Sequence, residues 1–339
     1  MMLNWYLQSG KNSDVVISSR IRLARNLADF PFVEKCNQNQ LIEIQNKIKE
    51  IVPSIGYGLK YLELKDIDDI TKMSLVEKHI VSPNFALNED STGAILINEE
   101  ENICIMVNEE DHLRIQVFGS GLELDNLMNL AIEIDEKLQS LTKYAYSEKY
   151  GFLTQCPSNV GTGLRASVMV HLPALTETGN IQKILEIISN FGMDIRGIYG
   201  EGSKVQGNMY QISNKQSLGI SEKEIVKSLK VITEKIIEQE KLARKYLLKN
   251  ALDLEDKMYR SFGILAYSKK ISSDEAKQLI SDIRLGTDLG IIKEMNDLKV
   301  NKLEIYTRPA NLQKYLGKQL NSYERDIQRA EVIKQIINE

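Results

Sequence analysis

The chain has 339 residues, 42% of them hydrophobic and 27% charged, which suits a folded protein with one large and one smaller domain and excludes a disordered chain. Its 43 basic and 47 acidic side chains leave a formal charge of −4, so no global field draws it to nucleic acid. The opening MMLNWYLQSG lacks the basic and apolar blocks of a secretory signal, and apolar runs such as residues 262–267 are far shorter than the roughly 20 residues that span a bilayer, so no membrane contact and a cytoplasmic location are expected.

In chain order, a first strand is expected over residues 15–18. Leu41, Ile44, Ile48 and Ile51 then recur at helical spacing over residues 39–52, and Pro53 is expected to end that helix. Three β-type runs follow in succession: AILI at 94–97, ICIMV at 103–107 and HLRIQVF at 112–118. No helix fits between them, whereas parallel strands would need a crossover of about a dozen residues, so the sheet is predicted to be antiparallel. Helical patterns occupy residues 122–141 and 181–191, and further strands are expected over 165–171 and 205–212. The first 220 residues or so therefore predict an α+β fold, an antiparallel sheet flanked by helices.

The pattern changes at Ser221. Ser221 and Glu224 have capping-box spacing, and Ile225, Leu229, Ile232 and Ile236 trace one helical face. Ser272 with Glu275 and Asn321 with Glu324 open further helices. Residues 1–249 are expected to form the sheet-containing domain and 250–339 a mostly helical C-terminal domain. Cys36, Cys104 and Cys156 share no CxxC spacing, and His79, His112 and His171 are scattered, so neither a disulfide framework nor a structural zinc site is expected.

Two glycine-rich stretches invite a nucleotide reading and fail it. GTGLRA at 161–166 has the spacing of a dinucleotide fingerprint but follows CPSNV rather than a buried strand and opens no helix. GIYGEGSK at 197–204 places Ser203 before Lys204, the reverse of a P-loop. No HRD or DFG set is present.

What recurs beside the glycines is arginine. Arg20 and Arg22 lie two apart in SSRIRLARN (18–26), so on a strand they share a face. Arg114 lies in NEEDHLRI, Arg165 in CPSNVGTGLRASV and Arg196 in RGIYGEGS. Singly each reads as a surface arginine. Together, their planar forks offer bidentate recognition of phosphate without a P-loop.

These segments resemble, in order, the motifs of the ATP:guanidino phosphotransferases, the creatine and arginine kinase family, over roughly residues 15–220. The resemblance implies phosphoryl transfer from ATP, with Mg²⁺, to a guanidino nitrogen. It implies nucleotide contacts from Ser18, Ser19, Arg20, Ile21 and Arg22, from His79 in KHIVSP, from Arg114, and from Arg165, Ala166, Ser167, Val168 and Met169. Arg196, Gly197, Ile198, Tyr199, Gly200 and Glu201 complete that set, on a glycine-punctuated loop suited to closing over the site.

The acceptor must be oriented and lose a proton as the P–N bond forms, work that suits paired carboxylates. By resemblance these are Glu110, the second Glu of NEED, and Glu201 of the GEGS loop. Glu99–Glu101 read instead as a solvated turn. Cys156 of CPSN is implied to border the guanidinium as a thiolate, favoured by an arginine-rich surrounding.

Two departures narrow the resemblance. The first motif begins at Ser18, leaving no room for the helical N-terminal domain of phosphagen kinases, and a C-terminal extension ends in YERDIQRAEVIKQ. Both features resemble the bacterial protein-arginine kinases, whose RDxxRA motif is matched by Arg325, Asp326, Arg329 and Ala330 and is implied to bind phosphoarginine as an allosteric effector. The implied partners are arginine-bearing protein substrates, the activator McsA, the repressor CtsR, the Clp degradation machinery and a second copy in a homodimer. A phosphagen kinase acting on free arginine and a non-catalytic phosphoarginine-binding regulator are the alternatives.

Overall fold

The structure is a computed structural model that describes residues 4–88, 92–197 and 207–339. Its centre is an antiparallel sheet built from β1 (Val16–Arg25), β2 (Lys60–Glu63), β3 (Ala94–Ile97), β4 (Ile103–Val107), β5 (Leu113–Ser120), β8 (Leu164–His171), β9 (Met193–Gly197) and β10 (Met209–Asn214). A separate small hairpin pairs β6 (Tyr146–Ser147) with β7 (Gly151–Phe152). Among the described residues the sheet order is β2-β3-β4-β5-β1-β8-β10-β9, with every neighbouring pair antiparallel.

Period-two alternation gives this sheet two different faces. Ile21 and Leu23 of β1, Ile115 and Val117 of β5, and Ala166 and Val168 of β8 are at most 1% exposed and share one core. That core is covered by α1 (Gln38–Ile55), α4 (Leu124–Leu141) and α7 (Glu222–Leu247). On the opposite face, Ile95, Cys104, Met106 and Phe118 form a smaller core with α2 (Asp69–Glu77) and α3 (Pro83–Ala86). Between that patch and the far edge, β1 and β8 turn arginines outward. The first strand therefore runs well past the expected 15–18, because its arginines alternate with core residues.

Pro53 does not end the first helix, a correction to the sequence expectation. Val52 and Ile55 continue the buried stripe of Ile44 and Ile48, and the helix runs on to Gly56, whose positive φ of 84° suits a residue without Cβ. The short α5 (Pro173–Glu177) and amphipathic α6 (Ile181–Asn190) lead into β9, which the sequence reading did not anticipate.

The last third is helical: α8 (Ala251–Tyr267), α9 (Ser273–Asp288), α10 (Asp297–Tyr306), α11 (Pro309–Leu316) and α12 (Ser322–Asn338). Met258, Ile280, Ile283, Leu303, Leu312 and Ile333 centre its own core. Asn321 and Glu324 form the reciprocal box that starts α12, as Ser221 and Glu224 do for α7. The helices dock on the sheet domain through polar groups. Glu77 of α2 accepts from the backbone N–H groups of Ala310 and Asn311 at 2.8 Å, so one unit caps a helix of the other. His171 at the end of β8 meets Ser281 of α9 at 2.8 Å.

Candidate active site

The strand register sets the arginines side by side. Arg20 on β1 lies opposite Ser167 of β8, Arg22 lies opposite Arg165, and Arg114 of β5 lies opposite Ala24. Arg20 donates to the Ser167 hydroxyl at 3.2 Å and to Gln211 of β10 at 3.3 Å. Arg165 donates to Asp194 of β9 at 2.9 Å and to Ser213 at 3.0 Å. Arg114 forms an ion pair with Glu109. Arg22 is half-buried and has no hydrogen-bond acceptor among the described residues.

Crowded cations describe a site suited to an anion. Burial, then the neighbouring Arg114 and Arg165, pushes Arg20 down to about 9, still charged at neutral pH. Burial, then Arg114, Arg20 and Arg165, depresses Arg22 as well. A polyphosphate would relieve this repulsion and fill the unused donors.

The acidic loop beside this row is tied to the cysteine loop. Asn26, the last residue of SSRIRLARN, donates to Asp111 at 2.6 Å, and Asp111 also accepts from the Gln155 N–H at 2.8 Å. Glu110 and Cys156, each next to one of those linked residues, are thereby held in neighbouring loops. Burial works against the charge of Glu109, but Arg114 beside it, with the Glu110 N–H and the Ser82 hydroxyl, holds its carboxyl below the ordinary value. The half-buried Glu110 carboxylate has no partner among the described residues, so it is available to a ligand. The Cys156 sulfur lies 3.1 Å from the Ser158 hydroxyl, at the start of a 3₁₀ turn.

A small cavity of about 30 Å³ at the sheet surface is lined by Ser18, Arg20, His79, Ser167 and Met169 together with Trp5, Phe118 and Gln211. Burial, followed by the charges of Arg308, Arg20 and Lys277, holds the His79 imidazole down to about 3, so it is neutral at ordinary pH.

Several expected contacts are not brought there. Ile21, Ala166 and Val168 point into the apolar core on the other face. Ser19 is fully buried, donating to Gly121 O at 2.6 Å and accepting from Glu123 N at 3.1 Å. These four side chains are turned away from the cavity because consecutive strand residues face opposite sides. Ile198, Tyr199, Gly200 and Glu201 lie outside the described residues, and for Arg196 and Gly197 only the backbone of β9 is described. Trp5, Asn26, Asp111 and Gln211 were missed by the sequence reading. For Asn26 and Asp111 the signal was present, since both sit inside the matched motifs.

The RDxxRA residues divide. Arg325 and Asp326 are half-buried, with Arg325 donating to Leu320 O at 3.3 Å. Arg329 is 1% exposed and donates to Thr307 O at 2.7 Å, Ile271 O at 2.8 Å and Asp326 at 2.6 Å, while Ala330 is wholly buried. Arg329 and Ala330 thus belong to the interior of the helical unit.

Residues 43–243 match the family model "ATP:guanido phosphotransferase, C-terminal catalytic domain", and residues 251–339 match "Protein-arginine kinase McsB C-terminal domain". The chain is 46% identical to the protein-arginine kinase of Halothermothrix orenii, over 99% of this chain and 96% of that one. It is 47% identical to the protein-arginine kinase of Geobacillus stearothermophilus, over 98% and 92%. Among solved structures, lombricine kinase superposes with a TM-score of 0.59 at 26% identity, covering 68% of this chain and 67% of that one. The duplicated taurocyamine kinase of Schistosoma mansoni shares the fold, with a TM-score of 0.62 at 24% identity over 81% of this chain and 42% of its own. The chain belongs to the ATP:guanido phosphotransferase family and, within it, to the protein-arginine kinases.

Proposed function

We propose that this enzyme transfers the γ-phosphoryl group of Mg·ATP to a guanidino nitrogen of arginine side chains in proteins. The observation that carries the reading is the row of Arg20, Arg22, Arg114 and Arg165 across three adjacent strands, with Glu110, unpartnered among the described residues, on the loop beside it. The arginines hold the phosphates and offset the charge that spreads over the phosphoryl oxygens during transfer. Mg²⁺ enters with the nucleotide as part of the substrate, bound largely through phosphate oxygens as is usual for this ion. Glu110 orients the planar guanidinium and accepts the proton released as the P–N bond forms and ADP leaves. Glu201 is the second carboxylate of this reading, and Cys156 borders the acceptor.

In the same reading, residues 1–249 are the catalytic domain and 250–339 a regulatory one. Arg325 and Asp326 contact a phosphoarginine effector there, and Arg329 holds the helix that presents them. Cytoplasmic location, a homodimer, the activator McsA, the repressor CtsR and the Clp machinery complete it. No helix among the described residues is long and apolar enough to cross a membrane.

The test is incubation with Mg·ATP and either an arginine-containing protein or free arginine, followed by ³¹P NMR. An acid-labile P–N resonance is expected on the protein acceptor. A resonance on free arginine alone, or none, would overturn the reading.

A further inference from the structure

The cavity on the sheet does not stop at the arginine face. It shares Trp5, Ser18, His79 and Met169 with a second, neighbouring cavity of about 60 Å³. The far wall of that second cavity comes from the C-terminal helices: Arg284 of α9, Asn301, Glu304 and Ile305 of α10, and Arg308 just before α11. These residues lie outside the region that matches the catalytic-domain model, which ends at residue 243.

Arg284 is the unusual member of this wall. It is 5% exposed and donates one bond, to Asn301 at 2.9 Å, while its Nε has no acceptor among the described residues. A buried guanidinium with one hydrogen bond keeps further N–H donors on its fork, and its place on the cavity wall offers those to a ligand. Nearby, the Glu304 carboxylate approaches Arg308 only to 3.9 Å and retains acceptor capacity. The rest of the lining combines flat or apolar side chains, among them Trp5, the neutral His79 imidazole, Met169 and Ile305, with the polar Gln8, Ser18 and Lys78. Donor, acceptor and flat apolar walls together match a nitrogen heterocycle carrying an exocyclic amino group.

We propose that α9 and α10 form the base-binding wall of the nucleotide site. Arg284 donates to a ring nitrogen of adenine, and Glu304 accepts from its exocyclic amino group. The proposal rests on the reading above that the phosphates lie on Arg20 and its neighbours. Its consequence is that the nucleotide bridges sheet and helical unit, so whatever shifts the docking of the helices shifts nucleotide affinity, and the reverse.

Calorimetric titration of the full chain with ADP and with inorganic tripolyphosphate separates base from phosphates. Arg20→Gln should weaken both ligands. Arg284→Gln should weaken ADP by about tenfold or more and leave tripolyphosphate within about twofold, the scale of one hydrogen bond to a charged group. Glu304→Gln should weaken ADP and narrow its advantage over GDP, whose base carries an oxygen acceptor where adenine carries an amino donor. In the wild type, ADP but not tripolyphosphate should slow amide exchange in residues 297–306. Arg284→Gln binding ADP like wild type, or losing both ligands equally while still melting cooperatively, overturns the proposal. If Arg284→Gln does not fold, Glu304→Gln decides: an unchanged ratio of ADP to tripolyphosphate affinity overturns it. Wild type binding neither ligand, or Arg20→Gln binding both normally, sinks the nucleotide reading instead.

Discussion

Arginine appears in two settings in this molecule. On the open face of the sheet, Arg20, Arg22, Arg114 and Arg165 stand close enough to repel one another, and Arg22 has no acceptor among the described residues. In the interior, Arg25 closes on Asp135 at 2.6 Å, donates to Ala24 O and Thr162 O, and lies 3.6 Å over the Phe152 ring. Arg329 in the helical unit is equally saturated. Arg22 and Arg25 belong to the same nine-residue motif. What separates Arg22 from Arg25 is therefore the acceptors that the fold places around the fork.

The comparison can be sharpened first where the largest effect is expected, at Glu110 on the loop beside the open arginines. Glu110→Gln removes the proton acceptor and keeps the shape, so transfer should fall by about 10²–10⁴-fold with nucleotide affinity nearly unchanged. Activity within about threefold of wild type would take Glu110 out of the mechanism, since such a loss is far below what a general base contributes. The saturated set should respond in stability instead. Arg329→Ala leaves Asp326 and two buried carbonyls without their donor and should cost about 3–5 kcal/mol in urea unfolding. A loss under about 1 kcal/mol would show that this arginine is no structural tie.

Titration gives the next contrast. His112 and His171 are fully buried, and burial first of all holds both imidazoles down, His112 to about 4. Both are neutral when folded and take up a proton when unfolded below about 6.5. The unfolded chain then binds more protons, so stability is present above that pH and is lost as pH falls from about 6.5 toward 4. Two such groups give a slope of at most about 3 kcal/mol per pH unit. Asp288, held up to about 7 by burial, takes up a proton in the folded chain over part of this range and offsets some of the loss, so the check is the imidazole resonances themselves: protonation of His112 or His171 in the folded protein between pH 7 and 5 would contradict the neutral assignment. The smallest change is expected at the rim of the helical unit. Arg325→Ala should abolish stimulation by free phosphoarginine and leave basal transfer and melting temperature unchanged. A variant that responds like wild type would remove Arg325 from the effector site.

How much of this was legible in the sequence follows the same division. The antiparallel order of β3, β4 and β5 could be read because short apolar runs left no room for crossovers. The capping boxes at Ser221 and Asn321 could be read because three-residue spacing carries its own geometry. The full length of β1 could not, since SSRIR reads as polar until alternate residues are seen to serve a core and a site. Nor could the roles of Arg329 and Arg284, because their partners Ile271, Thr307 and Asn301 are brought to them only by helix packing. The inward turn of the Ser19 side chain was not legible for the simplest reason. A motif names its residues without saying which way a strand turns each one.

The most direct measurement of the central claim is a substitution that keeps charge and removes the fork. Arg165→Lys should be assayed for phosphoryl transfer from Mg·ATP to a protein arginine, alongside thermal melting of the same sample. If the open face grips phosphate bidentately, transfer drops by about tenfold or more while the melting temperature stays within the range of ordinary surface changes. Normal transfer by the lysine variant, or a loss of activity that merely follows a loss of folding, would contradict the account.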